Sequence, residues 1–594
     1  MLFTSLLLLA GAQSVFAKCK CTPADDCWPS NSKWNALNAT VDGQLIANQP
    51  IAQSCYPGAG YDAQRCQHIS SEWASSPFQE ASPIGYTYPL LETCPPINAS
   101  VAAYPICDLG NSPVYTINAT KADDVAAGIK FAKENNVRLV IKNTGHDIVG
   151  RSQGYGSLSV WIKYIRDGIE YQENYAPSTG CQSNWTGSAL TVGGGYIWDE
   201  VYAEAAKRGR IAVGGDDRTV GSIGGYLQGG GHGFATHFFG LATDQVLEYK
   251  VVLASGEIVT ANQCQHTDLF TALRGGGGGT YGVVVSATIK AHRTHPVLMH
   301  ELSIEVIPGK GTLSGLLNAT AAMMSRYPIL SDEGFAGYAD LTRAPTGSLF
   351  THTFGKLLES NTSSSNKDWA KHVMNQQIVD NLIQFNGTQF LVKSAFKTFP
   401  SFDAFFLGSG SHQAAAASSA IMTSRFFDKE SLLFKQENLE NMMATLFSEA
   451  GPGVHATTSA FELCLVGGGQ VLQTAPYTSV NPAWRKTYLL AEQVDLFPDN
   501  AGLQGIRQIV QQATAQKSKA MKELTPGMGT YLNEADRADP DWKQDWFGSK
   551  YQWLSSIKKK YDPDEVFWCW CCVGSEGWEE VKGGTLYGPL CQTN

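Results

Sequence analysis

The sequence predicts an α+β protein of more than one domain, and three observations carry that prediction. Its 594 residues exceed the reach of one ordinary hydrophobic core, so two or three domains are expected. Helix-period and strand-period stretches follow one another along the chain without any internal repeat. Glycine is dense between residues 213 and 279 and thins out beyond about 295, which sets the later stretch apart as a separate domain.

Taken in order, residues 1–17, "MLFTSLLLLAGAQSVFA", read as a secretory signal: an apolar run, then small residues up to Ala17. That run is too short to span a bilayer, and nothing downstream is longer, so no membrane span is expected. Residues 18–109 are rich in Cys, Pro, Ser and Trp with little periodicity, and read as an extended, disulfide-pinned segment. Thr120 is the expected N-cap of a helix, with Asp123 three residues on as its capping-box partner. Val125, Ile129 and Ala132 recur at helical spacing, the helix ends near Asn135-Asn136, and a strand follows over 137–142. The chain is thereby delivered to "NTGHDIVGRS", a turn carrying His146. A second strand covers 189–195, and "IWDEVYAEAAKRG" is a helix ending at Gly209. After the glycine-rich stretch 213–233, two strands meet at a Ser255-Gly256 turn. A short helix, a second glycine loop (275–279) and a strand complete this part. Strands and helices alternate through 296–524, and the aromatic-rich end, 525–594, is helical between Trp546 and Lys560.

Composition narrows the classes. With 43% hydrophobic and 16% charged residues the chain is globular. A formal charge of -10 and a pI near 5.7 argue against a nucleic-acid partner, and Lys558-Lys559-Lys560 reads as a solvated helix end. Fourteen cysteines follow residue 17, an even number, and read as disulfides in an oxidising compartment. Zinc is the competing reading, but the spacings lack paired CxxC units, so no metal is expected. Seven sequons, at Asn38, Asn98, Asn118, Asn184, Asn318, Asn361 and Asn386, are N-glycan acceptors if the chain is exported. Together these features predict a secreted glycoprotein.

Glycine loops leave backbone N–H groups uncovered and tolerate positive φ, so "GSIGGYLQGGGHG" can wrap a diphosphate or admit a flat ring. Alone it is also what a glycine-rich surface loop looks like, and it does not follow the Rossmann fingerprint. Two such loops separated by strands, together with His146, favour one large phosphate-bearing ligand, a dinucleotide.

Four stretches in this order, "KNTGHDIVGRS", "DRTVGSIGGYLQGGGHG", "DLFTALRGGGGGTYGVV" and "YLNEAD…KKKYDPDEVFW", resemble the berberine bridge enzyme-like branch of the vanillyl alcohol oxidase superfamily of FAD-linked oxidoreductases, its secreted fungal members above all. The resemblance covers 105–295 and 525–570 well and the middle domain loosely. It implies a two-subdomain PCMH-type FAD-binding domain over 110–295. A substrate domain with an antiparallel sheet backed by helices follows over 296–524, and a C-terminal segment returns to the FAD domain.

The resemblance also assigns residues. His146 takes the role of covalent anchor to the flavin methyl. Asp217 stands where many relatives carry a second, cysteinyl anchor, so FAD held by a single covalent link is expected. Asn143, Thr144, Gly145 and Asp147, with Gly215, Thr219, Val220, Gly221, Ser222, Gly224, Gly225 and Gly233, are expected around the diphosphate and ring. Gly282 and Val283 are expected on the adenine or diphosphate side, and Asn533 against the ring. Small side chains at Val220 and Gly225 leave room for dioxygen. Tyr531 is the candidate base for the substrate hydroxyl, which requires its pKa to be lowered from about 10; a buried aromatic with a satisfied hydroxyl is the alternative. His232 and His237 read as packing or hydrogen-bonding residues, and Cys464 as structural. The Trp-Cys run 568–572 is expected to pair with the N-terminal cysteines. The implied function is a secreted oxidase taking hydride from an alcohol or related small molecule and passing electrons to O2. Carbohydrate oxidation, an oxidative step of secondary metabolism, and a non-catalytic flavin-binding protein stand as alternatives.

Overall fold

Three β-sheets organise the chain in the computed structural model, which describes residues 18–58, 60–86, 94–96, 107–178, 180–359, 364–409, 420–433, 436–448, 453–498, 501–582, 585 and 587–593. The signal segment 1–17 and the sequons at Asn98 and Asn361 lie outside the described residues.

The first sheet contains β1 (Leu45–Ala47), β2 (Tyr115–Asn118), β3 (Arg138–Lys142) and β4 (Ser157–Trp161) in the order β1-β2-β4-β3, with β4 parallel to both its neighbours. Helix α1 (Ala122–Glu134) covers it through Val125 and Ile129, both fully buried. Its N-terminus is closed one residue later than the sequence suggests. Asp124, not Asp123, accepts from Thr120 N, Thr120 Oγ1 and Lys121 N, because it sits at the third helical position and points inward.

The second sheet is antiparallel: β5 (Ile169–Gln172), β6 (Ala189–Gly193), β7 (Val246–Val252), β8 (Ile258–Asn262) and β9 (Val283–Lys290), in the order β5-β6-β9-β7-β8. The third holds seven antiparallel strands: β10 (Val297–Val306), β11 (Ala336–Ala344), β12 (Gly347–Leu357), β13 (Phe390–Phe399), β14 (Ala420–Asp428), β15 (Thr458–Leu465) and β16 (Thr487–Leu496). Their order is β13-β10-β12-β11-β15-β16-β14. Side chains alternate across a strand. Phe461, Leu463 and Leu465 of β15 therefore join the core shared with helices α2 (Leu313–Met324) and α3 (Gln436–Leu446), while Glu462 and Cys464 point the other way.

Three expectations about the ends are corrected. The N-terminal segment is not merely extended: Asn31–Thr40, Ala63–Glu72 and Ser76–Glu80 are helical, the second capped by Asp62. The cysteines of the C-terminal run do not pair with the N-terminal ones. Cys569 bonds Cys572, and Cys19–Cys591 staples the two ends instead. Cys21–Cys27, Cys55–Cys66, Cys94–Cys107 and Cys181–Cys264 are the other bridges among the described residues, leaving Cys464 and Cys571 as thiols. Lys558 is no solvated helix end either. It is buried on α4 (Tyr551–Tyr561), and its Nζ donates to Thr280 O, Phe567 O and the Asp562 carboxylate, fastening the C-terminal segment to the second glycine loop. Among the described residues no helix is long and apolar enough to cross a membrane.

Candidate active site

Strand β3 ends at Lys142, and the turn that follows is held by its own side chains. Gly145 has φ +105, and a Cβ there would lie 3.0 Å from both Lys142 Cε and Tyr86 Cβ, so only glycine fits without displacement. Asp147 accepts from Ser152 N at 2.6 Å and from Arg151 Nε at 3.1 Å. Arg151 in turn donates to Asn533 Oδ1 at 2.7 Å, and Asn533 Nδ2 donates to Gly225 O at 2.8 Å. One chain of hydrogen bonds thus ties the histidine turn, the first glycine loop and the C-terminal motif together. Lys142, fully buried, donates to the carbonyls of Ser82, Pro83 and Gly85, and burial brings its pKa down to about 7.

His146 is nearly enclosed. Its Nε2 lies 2.7 Å from Thr219 Oγ1, 3.0 Å from the Tyr86 hydroxyl and 3.7 Å from Glu80 Oε1. Asp217, at the position of the expected absent cysteine, accepts from both Thr219 N and Thr219 Oγ1 at 2.8 Å.

A cavity of about 320 Å³ opens beside this turn. Asn143, Thr144, Gly145, His146, Asp147, Gly215, Val220, Gly221, Gly224, Gly225 and Val283 border it, as do Tyr531 and Asn533. Ser222, Gly233 and Gly282 do not. Ser222 turns its hydroxyl to Tyr196 O, a Cβ on Gly233 would sit 1.9 Å from Gly214 O, and one on Gly282 would strike Val251 at 2.7 Å. These three shape the loops by close packing. Thr219 acts from behind His146.

Several features of the cavity fit a large flavin nucleotide. A Cβ on Gly225 or Gly279 would meet nothing nearer than 3.7 Å, so both backbones stand open to the space. The two glycine loops approach so closely that a Cβ on Gly278 would lie 3.2 Å from Gly225 Cα. Asn143 Oδ1 and Gln228 Oε1, both at the cavity, are buried without a hydrogen-bond partner, a cost that a polar ligand removes.

On the opposite wall the third sheet contributes carboxylates. Glu462 and Glu492 are cross-strand partners on β15 and β16, and both border the cavity with Glu534, His232 and Tyr338. His232 Nδ1 is 3.3 Å from the Tyr338 hydroxyl and its Nε2 is 2.8 Å from Glu534 Oε2. A tyrosine hydroxyl can donate to Nδ1, whereas an ionised carboxylate only accepts, so Nε2 carries the proton and donates to Glu534. Burial alone raises a carboxyl pKa, but His232 and a hydrogen bond with Glu492 bring Glu534 below its ordinary range. Burial and the neighbouring Glu534 push Glu492 well above it. The two share one proton, and Glu534 is the ionised member.

Tyr531 borders the cavity, but its hydroxyl receives Asn533 Nδ2 and donates to Tyr226 O. Burial, with Glu534 alongside, pushes its pKa up. That is opposite to the lowering a base requires, and the alternative of a satisfied aromatic fits the surroundings better. His237 packs as expected, with Nδ1 on Gly467 O. Sequence reasoning passed over Tyr86, Glu80, Glu462, Glu492 and Glu534, the last being the carboxylate partner of His232. Glu534 lies inside the quoted "YLNEAD", and Glu462 and Glu492 interrupt the apolar runs "FELCLV" and "LLAEQV", a signal of strands whose one face is polar.

Comparisons agree with this architecture. Residues 113–262 match the family model of the FAD binding domain, and 530–569 that described as berberine and berberine like. The chain is 38% identical over 602 residues to FAD-linked oxidoreductase apf9 of Gibberella fujikuroi, covering 98% of each. It is 32% identical over 597 residues to the VAO-type flavoprotein oxidase VAO615 of Thermothelomyces thermophilus, covering 96% of this chain and 95% of that one. The crystal structure of the VAO-type flavoprotein MtVAO713 from Myceliophthora thermophila superposes with a TM-score of 0.89 at 36% identity, covering 97% of this chain and all of that one. The fold and the cavity define a flavoprotein of the vanillyl alcohol oxidase type. The chain belongs to the FAD-linked oxidoreductases of that superfamily, in its berberine bridge enzyme-like branch, and its cofactor is FAD.

Proposed function

We propose that the protein is a secreted oxidase that takes hydride from the CH–OH group of a small alcohol or related molecule and delivers the electrons to O2, forming hydrogen peroxide. FAD, held through a single covalent bond to His146, supplies the two-electron acceptor when bound. The observation that carries the reading is the Glu534 carboxylate on the cavity wall, 2.8 Å from His232 Nε2 and bordered by Glu492. Glu534 accepts the hydroxyl proton as the substrate carbon is oxidised, and Glu492 relieves the buried charge by sharing its own proton. Asn533, clamped between Arg151 and Gly225, orients the ring. Val220 and Gly225 leave space at the cavity for dioxygen.

Export is supported by six disulfides, which persist in oxidising compartments. Asn184, Asn318 and Asn386 are exposed and suit glycans, whereas Asn118 is half-buried with its Nδ2 donating to Gln44, and Asn38 accepts from Leu45 N. The test is purified protein assayed for flavin that stays yellow in the acid-precipitated pellet, and for peroxide release across alcohols and sugars. Colour lost to the supernatant overturns the covalent link, and absence of peroxide with every reducing substrate overturns the oxidase reading.

A further inference from the structure

Tyr86 lies in the N-terminal segment, outside the 113–262 stretch matched by the FAD-binding family model. It has φ +59, a left-handed conformation that costs an aromatic residue energy and persists only where its surroundings impose it. Here they do. Gln79 Oε1 accepts from Tyr86 N at 3.2 Å, Gln153 Nε2 donates to Tyr86 O at 3.0 Å, and buried Lys142 holds the preceding carbonyl of Gly85. The outcome is a phenol ring 4.5 Å from the His146 ring, with its hydroxyl at Nε2.

Donor accounting then fixes the imidazole. The Thr219 hydroxyl owns one proton and gives it to the Asp217 carboxylate, which can only accept. Toward His146 the same oxygen is therefore an acceptor, so Nε2 carries the proton and Nδ1 keeps the lone pair. Glu80 is the remaining group at this face. Its Oε2 pairs with Lys163, while Oε1, 3.7 Å from Nε2, is buried without a hydrogen-bond partner.

We propose that Asp217–Thr219 and the N-terminal Tyr86 are positioning residues for flavin attachment: they hold His146 as the Nε2–H tautomer, so that Nδ1 forms the bond to the flavin methyl carbon and Glu80 receives the Nε2 proton. The inference rests on His146 being the anchor. Overall, one methyl C–H and the imidazole N–H are replaced by one C–N bond. Two electrons and two protons pass to dioxygen as hydrogen peroxide. Glu80 matters because bonding at Nδ1 while Nε2 stays protonated makes the ring cationic, and the carboxylate stabilises that cation before taking its proton. Asp217 thus has a task at the position where relatives carry a second anchor.

The test measures two quantities on each variant: total bound FAD, and the fraction remaining on the protein after denaturation, by mass spectrometry over time from expression onward. Thr219→Val is expected to slow attachment at least tenfold with total FAD and melting temperature retained, and Thr219→Ser, which restores the hydroxyl, to recover it. Tyr86→Phe, close to isosteric, is expected to slow it severalfold, and Glu80→Gln to shift the attachment rate to higher pH. His146→Ala is the reference with none. Wild-type protein lacking covalent flavin, or carrying it elsewhere, overturns the anchor itself. Covalent wild type with Thr219→Val and Tyr86→Phe attaching at the wild-type rate overturns the positioning role alone.

Discussion

Replacing Glu534 by glutamine removes the proton acceptor while leaving its contacts. The amide oxygen still accepts from His232 Nε2 and from the protonated Glu492, so the 2.8 Å contact and the fold are retained. What disappears is the carboxylate that takes up the hydroxyl proton. A positioned general base contributes about 10²–10⁴-fold, or about 2.7–5.4 kcal/mol of barrier at about 1.36 kcal/mol per tenfold. The assay is anaerobic rapid mixing with substrate, following flavin bleaching, so that reoxidation by dioxygen does not enter. The pH profile gives a second reading. Because the pKa of Glu534 lies below its ordinary value, the base stays ionised through the neutral range, and reduction slows only as pH falls below the ordinary carboxylate range. In Glu534→Gln this acid limb vanishes. Flavin reduction within threefold of the wild type, or an unchanged acid limb, refutes the assignment.

Tyr531→Phe should slow flavin reduction less than tenfold, since a phenol whose pKa is raised by burial stays protonated and is no base; a loss as large as that of Glu534→Gln in the same assay returns the role to Tyr531. Gly225→Ala is accommodated, its Cβ meeting only Asn533 Oδ1 at 3.7 Å, and should retain substrate-driven reduction while slowing the oxygen half-reaction in double-mixing experiments. Opening the Cys19–Cys591 bridge, which closes a loop across 572 positions, should lower stability by about 3–5 kcal/mol in denaturant titrations of Cys19→Ser with Cys591→Ser. The buried pair His300 Nδ1···His352 Nε2, 2.7 Å apart, should make the fold acid-sensitive. Burial brings His300 down to about 4 and His352 well below its ordinary value, so the unfolded chain binds protons first. Stability is then full above about 6.5 and declines as pH falls toward about 4. His300→Gln with His352→Leu should flatten that slope.

Legibility in the sequence followed the range of the chemistry. The turn Asn143–Ser152 is explained by glycine at positive φ and by an aspartate bonding four and five residues ahead, all local events that residue types announce. The glycine loops announce open backbone in the same way. The second half of the His146 site was hidden because Glu80 and Tyr86 reach it across 60 or more residues from a segment without periodicity, through a backbone conformation that no tyrosine advertises. Glu462 and Glu492 were visible as charges inside apolar strands. Only the pairing register of β15 with β16 makes them partners, and register is a property of the whole sheet. Disulfide partners were hidden for the same reason, since connectivity depends on where the ends finally lie.

The distribution of the site over the chain has an energetic consequence. Its groups come from residues 80–86, 143–147, 217–225, 232, 462, 492 and 531–534, so no single sheet positions the whole cavity. Each contributor is fastened to the next by a buried polar contact: Lys142 to the carbonyls before Tyr86, Arg151 between Asp147 and Asn533, and Lys558 to Thr280 behind the second glycine loop. Two of these cations are fully buried, and burial lowers the pKa of both lysines. Removing the partner of a buried charge costs about 3–5 kcal/mol, so such ties enforce geometry at the expense of tolerance to substitution. Lys142→Met should therefore free the Ser82–Tyr86 loop without opening the first sheet, whose strand hydrogen bonds do not involve Nζ. The expected signature is a loss of covalent flavin with retained cooperative unfolding. Unimpaired attachment in Lys142→Met would show that Tyr86 needs no such fastening.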